Sequence, residues 1–169
     1  MNQVRKIVIA AVCLALCLIL PFLTGNNREL GTLFSLMHLP VLLCGIICGL
    51  EYGLLVGFTA PLLRSVMFGM PPMPIVAVPM AFELAAYGLV AGFLYRRLPR
   101  RKSSIFVSLI AAMIIGRFVN LAASFLFGTP AILSSLYGLF VGTLPGIIVQ
   151  LILVPASVTA LRRAGLADV

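Results

Sequence analysis

Long apolar runs, interrupted at intervals by short polar clusters, set the pattern of the chain. Residues 4 to 23 begin with Arg5-Lys6 and stay apolar to Phe22-Leu23. A charged start and an apolar core also describe a cleavable signal peptide. This run is long for one, and Thr24-Gly-Asn-Asn-Arg28 is a poor small-residue cleavage site, so a retained first helix is expected. The polar segment 24–36 reads as a loop. A short second helix follows at about 37–49, with His38 and Pro40 near its start, then a tight turn at Glu51-Tyr52 and a third helix at about 52–67. Gly69, Pro71, Pro72 and Pro74 are too many breakers for a helix to survive. A fourth helix is expected at about 77–95, a fifth at about 105–127 and a sixth at about 133–161, with Pro145 and Pro155 kinking the last. The pattern predicts an all-α integral membrane protein, one domain of six transmembrane helices.

Composition supports lipid as the solvent. The hydrophobic fraction is 62% and the charged fraction 9%, against about half and about a quarter in soluble domains. The length of 169 residues accommodates five or six spans with short loops and leaves no room for a further soluble domain. A net charge of +8 would suggest nucleic acid in a soluble protein. Here nine of the twelve Lys/Arg residues fall in three clusters: Arg5-Lys6, Arg96 to Lys102, and Arg162-Arg163. Such clusters beside apolar spans are the positive-inside signal. Six spans place all three on one side, with the N- and C-termini in the cytoplasm.

Small residues suggest where helices approach. Cys13, Cys17, Cys44 and Cys48 form two i, i+4 pairs in apolar runs. Thiolates in hydrocarbon are costly and no His or carboxylate accompanies them, so helix packing is favoured over a metal site. Gly45, Gly49, Gly53 and Gly57 form a four-spaced ladder across the second turn, some of them serving the turn itself; Gly138, Gly142 and Gly146 form another. Ala11 and Ala15, four apart on the first helix beside Ala10, form a small-xxx-small pair that admits a close neighbour.

The candidate chemistry lies on the side opposite the basic clusters. His38, Arg64, Glu83 and Arg117 are the ionisable residues inside the spans, and such residues are expensive in lipid unless paired or wetted. By helical rise, Arg64 lies about 5 Å, Glu83 about 9 Å, Asn120 about 10 Å and Arg117 about 15 Å from the outer ends of their helices. Two arrangements fit. One is a structural ion-pair network in which Arg64 or Arg117 neutralises Glu83. The other is a wet outward cavity for a solute. With two arginines against one glutamate, that cavity would favour an anionic group. Met70 and Met73 in the Pro-rich turn would add adaptable apolar contact and Tyr87 an aromatic face, or the methionines simply pack against lipid and loop. No phosphate loop, H-E-x-x-H, G-x-S-x-G or carboxylate pair is present. Neither an enzyme nor a bound cofactor is expected.

The six short helices, Ala11-x-x-x-Ala15, the run from His38 to Gly57 and the stretch from Pro61-Leu-Leu-Arg through Ala81-Phe-Glu-Leu-Ala-Ala-Tyr-Gly88 together resemble the S component of an energy-coupling factor (ECF) transporter. That resemblance implies a prokaryotic cell-membrane protein that binds a water-soluble vitamin or vitamin precursor. An EcfT-type transmembrane coupling protein and two EcfA-type ATPases would drive its delivery. On this sequence the coupling surface falls on Ala11 and Ala15. The outward pocket falls on Asn26 and Asn27, Met70 to Pro74, Glu83, Tyr87, Arg117 and Asn120, with His38 nearby. Arg64 either touches the solute or holds Glu83 in place, the second being favoured. A solitary ion-coupled carrier with Glu83 as its proton site, and a membrane scaffold without transport, are the alternatives.

Overall fold

A computed structural model describes residues 2–24, 36–99, 102–127 and 143–165. Among these residues the chain is helical and has no strand. The helices are α1 (Gln3–Ile19), α2 (His38–Cys48), α3 (Leu50–Phe68), α4 (Ala77–Arg97), α5 (Lys102–Leu126) and α6 (Leu144–Arg163). A 3-10 turn, Leu20–Thr24, extends α1. Four segments are long and apolar enough to cross a membrane: Gln3–Phe22, Ala77–Arg97, Ser103–Leu126 and Leu144–Arg163. Helix α2 is a shorter apolar helix, and α3 carries Glu51 and Arg64. Outward faces of Val107, Ile110, Ile114 and Phe118 on α5, and of Ile148 and Ile152 on α6, are exposed. Exposed apolar surface this extensive on a chain of this composition is a lipid-facing surface, not a soluble one.

Local chemistry sets the helix ends. Gly49, at φ 104°, separates α2 from α3 and is the ladder glycine that serves the turn. Gly69 ends α3 in the left-handed conformation, φ 70°, which costs glycine nothing. The N–H groups of Val76 and Ala77 then bond the Pro72 carbonyl and lead into α4. Pro145 does not kink a long sixth helix as its position suggested. It sits in the first turn of α6, after Thr143 at the N-cap, where a missing N–H costs no helical bond. Pro155 does lie inside α6. The earlier part of the expected sixth helix, with Gly138 and Gly142, and the Asn26-Asn27 loop lie outside the described residues.

The other ladder glycines let backbones touch. A Cβ on Gly53 would sit 2.7 Å from the Gly88 carbonyl oxygen, and one on Gly92 would sit 2.6 Å from that of Gly45. Gly45, Gly57 and Gly88 are as tightly faced by backbone, so α2, α3 and α4 pack as one seam that any side chain would wedge open. On α1, Ala10, Cys13 and Cys17 are buried while Ala11 and Ala15 are exposed. The three alanines therefore divide between two faces. Free, buried thiols line the α1–α2 contact, with Cys17 donating to the Met37 carbonyl and Cys48 to that of Lys6, both at 3.5 Å.

Members of all three basic clusters meet at one end of the bundle. Arg5 donates to the Gly165 carbonyl at 2.5 Å, Arg96 to the Cys48 carbonyl at 3.2 Å, and Arg162 to the Tyr95 hydroxyl. Glu83 lies on α4 about 20 Å from Arg96 by helical rise, toward the opposite end.

Candidate functional site

Helix periodicity brings the polar residues together. The buried stripe of α4 runs through Ala77, Ala81, Leu84, Tyr87, Gly88, Ala91 and Tyr95, and Glu83 lies beside it, one turn before Tyr87. On α5, Arg117, Asn120 and Ser124 follow at i, i+3 and i+7, the spacing of one helical face. Gly116 leaves the space beside them that the Tyr87 ring fills, since a Cβ there would meet that ring. His38, the first residue of α2, closes the third side.

Glu83 is the centre. Its side chain is 3% exposed, and Arg117 Nη1 pairs with its Oε1 at 2.9 Å. The Tyr87 hydroxyl donates to the same oxygen at 2.9 Å, and Asn120 Nδ2 donates to Oε2 at 2.7 Å. His38 Nε2 stands 3.8 Å from Oε1, and the His38 and Tyr87 rings lie 5.2 Å apart. Further out, Ser124 donates to Asn120 Oδ1 at 3.3 Å, and Arg117 Nη2 donates to Thr143 Oγ1 at 3.0 Å. Three direct donors occupy most of the acceptor capacity of one carboxylate. A lone carboxylate in this setting would be prohibitively costly; hydrogen-bonded to this set it is tolerable, and it fixes the donors in turn.

Two sets of polar atoms are left over. Among the described residues, both ring nitrogens of His38 are buried without a hydrogen-bond partner, and so is Nε of Arg117. Buried donors and acceptors usually find a partner, so these atoms are candidates for contact with a solute. His38 is only 3% exposed, so the open valence faces inward.

Arg64 is not part of this cluster. Its Nη1 donates to the Leu18 carbonyl of α1 at 2.6 Å, and its guanidinium lies 4.9 Å from the Phe22 ring and 5.6 Å from the Phe68 ring. Pro21 offers no N–H, so α1 ends with carbonyls in need of donors, and a cation at a helix C-terminus also opposes the macrodipole. The expectation that Arg64 holds Glu83 in place is therefore corrected: Arg117 is the cation paired with Glu83, the His38 ring stands beside it, and Arg64 serves the end of α1. The next residue, Ser65, donates to the Pro71 carbonyl at 2.6 Å and ties down the Pro-rich turn. On that turn Met70 is half-buried and Met73 is 49% exposed. The polar contacts around Glu83 include neither.

The family model for the substrate-specific component of ECF transporters matches residues 5–158. The chain belongs to this family. It is thus an S component: a multi-pass membrane protein that binds substrate and is not itself an enzyme, and that works with the coupling and ATPase modules of an ECF transporter. No curated protein and no solved structure matches the chain.

Some residues of the S component's polar cluster were not legible as such. Thr143 fell inside an expected helix; Pro145, two residues on, was the signal that a helix starts there with Thr143 at its N-cap position, where its hydroxyl accepts from Arg117 and makes no capping bond. Ser124 lies one turn from Asn120, a spacing that could have added it. Gln150, 2% exposed on α6, is a further buried amide whose signal was its place in an apolar run.

Proposed function

We propose that this S component captures a water-soluble vitamin or vitamin precursor from the outer side of a prokaryotic cell membrane. The observation that carries the reading is the convergence of His38, Glu83, Tyr87, Arg117 and Asn120, from three helices, at the end of the bundle away from the basic clusters. The unsatisfied nitrogens of His38 and Nε of Arg117 are the groups that a solute would meet. Asn26, Asn27, Met70 and Met73 complete the pocket from the loops. With both termini cytoplasmic, the exposed Ala11–Ala15 face of α1 docks an EcfT-type coupling protein driven by two EcfA-type ATPases.

The charge balance changes the expected solute. Without Arg64, the cluster holds one guanidinium against one carboxylate at 2.9 Å. That balance favours an uncharged or zwitterionic solute rich in hydrogen-bonding groups over an anion. An ion-coupled carrier with Glu83 as its proton site is less well supported, since internal donors already hold that carboxylate.

A thermal-unfolding screen of the purified chain against a vitamin panel tests this. A solute at 100 times its dissociation constant adds about 2.7 kcal/mol to stability if it binds only the folded state. Uptake by this chain alone, abolished by uncouplers and indifferent to loss of the ATPases, would instead establish the carrier.

A further inference from the structure

The basic end of the bundle carries a second site, unrelated to the Glu83 cluster. Between the start of α5 and the end of α6 lies a groove of about 380 Å³, lined by Ile105, Phe106, Pro155, Ala156, Thr159, Ala160 and Arg163. Its walls are apolar apart from Thr159 and Arg163, and the Thr159 hydroxyl is already bonded to the Pro155 carbonyl at 2.6 Å. Arg163 is the last residue of α6, and Pro155 lies eight positions earlier, so the groove descends about 12 Å from the guanidinium into the apolar part of the bundle. That depth stays within one leaflet, whose hydrocarbon half is about 15 Å thick.

The arginines at this end are not equivalent. Arg5, Arg96 and Arg162 are bonded to Gly165, Cys48 and Tyr95, and Arg97 lies 5.3 Å from the Phe93 ring. Arg163 is exposed at the mouth of the groove and makes no hydrogen bond or ion pair with the described residues. Glu51 is the single acid at this end among the described residues, and it does not line the groove.

We propose that this groove binds one anionic phospholipid of the inner leaflet, its phosphate on Arg163 and its upper acyl chain along Ile105, Phe106, Ala156 and Ala160. Charge and shape argue together: a cation with free donors stands at headgroup level, over an apolar trough of one-leaflet depth. A zwitterionic lipid fills the trough equally well but brings its own cation to the arginine.

Native mass spectrometry of the full chain, released from micelles carrying equal amounts of phosphatidylglycerol and phosphatidylcholine, tests the proposal. The chain should retain phosphatidylglycerol in preference, by about fivefold, the preference expected of one basic side chain at an anionic surface. Arg163→Ala should erase the preference and Arg163→Lys should keep most of it. Ala160→Phe, which fills the trough, should lower retention of both lipids. Arg97→Ala should change nothing, because Arg97 lies over Phe93, outside the groove. Equal retention of the two lipids overturns the proposal, as does an Arg97→Ala effect equal to that of Arg163→Ala, which would mean a diffuse basic belt. Inorganic phosphate competing away phosphatidylglycerol at equal concentration would overturn it in favour of a phosphate site. No retained lipid, together with failure of Ala160→Phe to assemble with the coupling module, would assign the groove to a partner helix.

Discussion

Glu83→Gln is the most direct test of the cluster, because it changes one charge and almost no volume. In the native chain Arg117 is 6% exposed and its Nη1 lies 2.9 Å from Glu83 Oε1. The amide leaves that guanidinium buried without a counter-charge. It also turns one acceptor oxygen into a donor. Glu83 Oε2 accepts from Asn120 Nδ2 at 2.7 Å, and Oε1 accepts from both Arg117 and Tyr87, so either orientation of the amide sets donor against donor. Breaking a buried pair by removing one partner costs about 3–5 kcal/mol. The loss here should fall in that range, since a second interaction with Asn120 or Tyr87 goes with it. The assay is reversible unfolding of the purified chain by a denaturing detergent, repeated for Arg117→Met and for the double variant. The double variant removes both charges, so it should be less destabilised than the sum of the single changes by about 1–3 kcal/mol. A Glu83→Gln protein within about 0.5 kcal/mol of the parent, or strict additivity in the cycle, would refute the claim that Glu83 organises the site.

Three other outcomes follow from the same geometry. His38→Phe should abolish solute-dependent stabilisation while leaving the stability of the empty chain nearly unchanged, because neither ring nitrogen makes a hydrogen bond to the described residues; a large loss of stability with binding intact would contradict it. Arg64→Ala should destabilise the chain by about 1–3 kcal/mol through the uncapped Leu18 carbonyl and lost packing on Phe22 and Phe68, yet weaken solute binding far less than Arg117→Ala, as titration calorimetry of the two variants would show. Leucine at both Ala11 and Ala15, which are exposed on α1, should leave solute binding intact and stop uptake in cells carrying the complete transporter; survival of uptake would move the coupling surface elsewhere.

How far the sequence could be read depends on whether a property is local. Helix α4 was visible from its apolar run, and its end, to within two residues, from the basic cluster that starts at Arg96. The glycine ladder was visible as spacing, but its division of labour was not: only the positive φ of Gly49 separates the turn residue from Gly53, which packs on Gly88. His38, Glu83, Tyr87, Arg117 and Asn120 stood out because polar residues in apolar runs are costly wherever the chain goes. Their partners did not stand out, since pairing depends on which helix faces α4. Spacing left Arg64 and Arg117 as equal claimants for Glu83; packing gives Glu83 to Arg117 and sends Arg64 to the end of α1.

That separation also gives the two arginines different parts in transport. Arg117 belongs to a cluster whose formal charges cancel and whose open atoms are a histidine and one guanidinium nitrogen. Arg64 and its neighbour Ser65 instead hold two features with one turn of α3: the end of α1 through Leu18, and the Pro-rich turn through Pro71. Under the proposed function, the first is the helix that meets the coupling protein and the second borders the solute's entry. A displacement of the turn on solute binding would therefore reach α1 by a path of two hydrogen bonds, 2.6 Å each, through adjacent residues. Such a path transmits only if the turn has two arrangements. Ser65→Ala separates the possibilities. It removes the Pro71 bond while leaving Arg64 in place. Unchanged solute affinity with slowed uptake would show that the tie serves coupling. Equal loss of affinity and uptake would show that it only shapes the pocket.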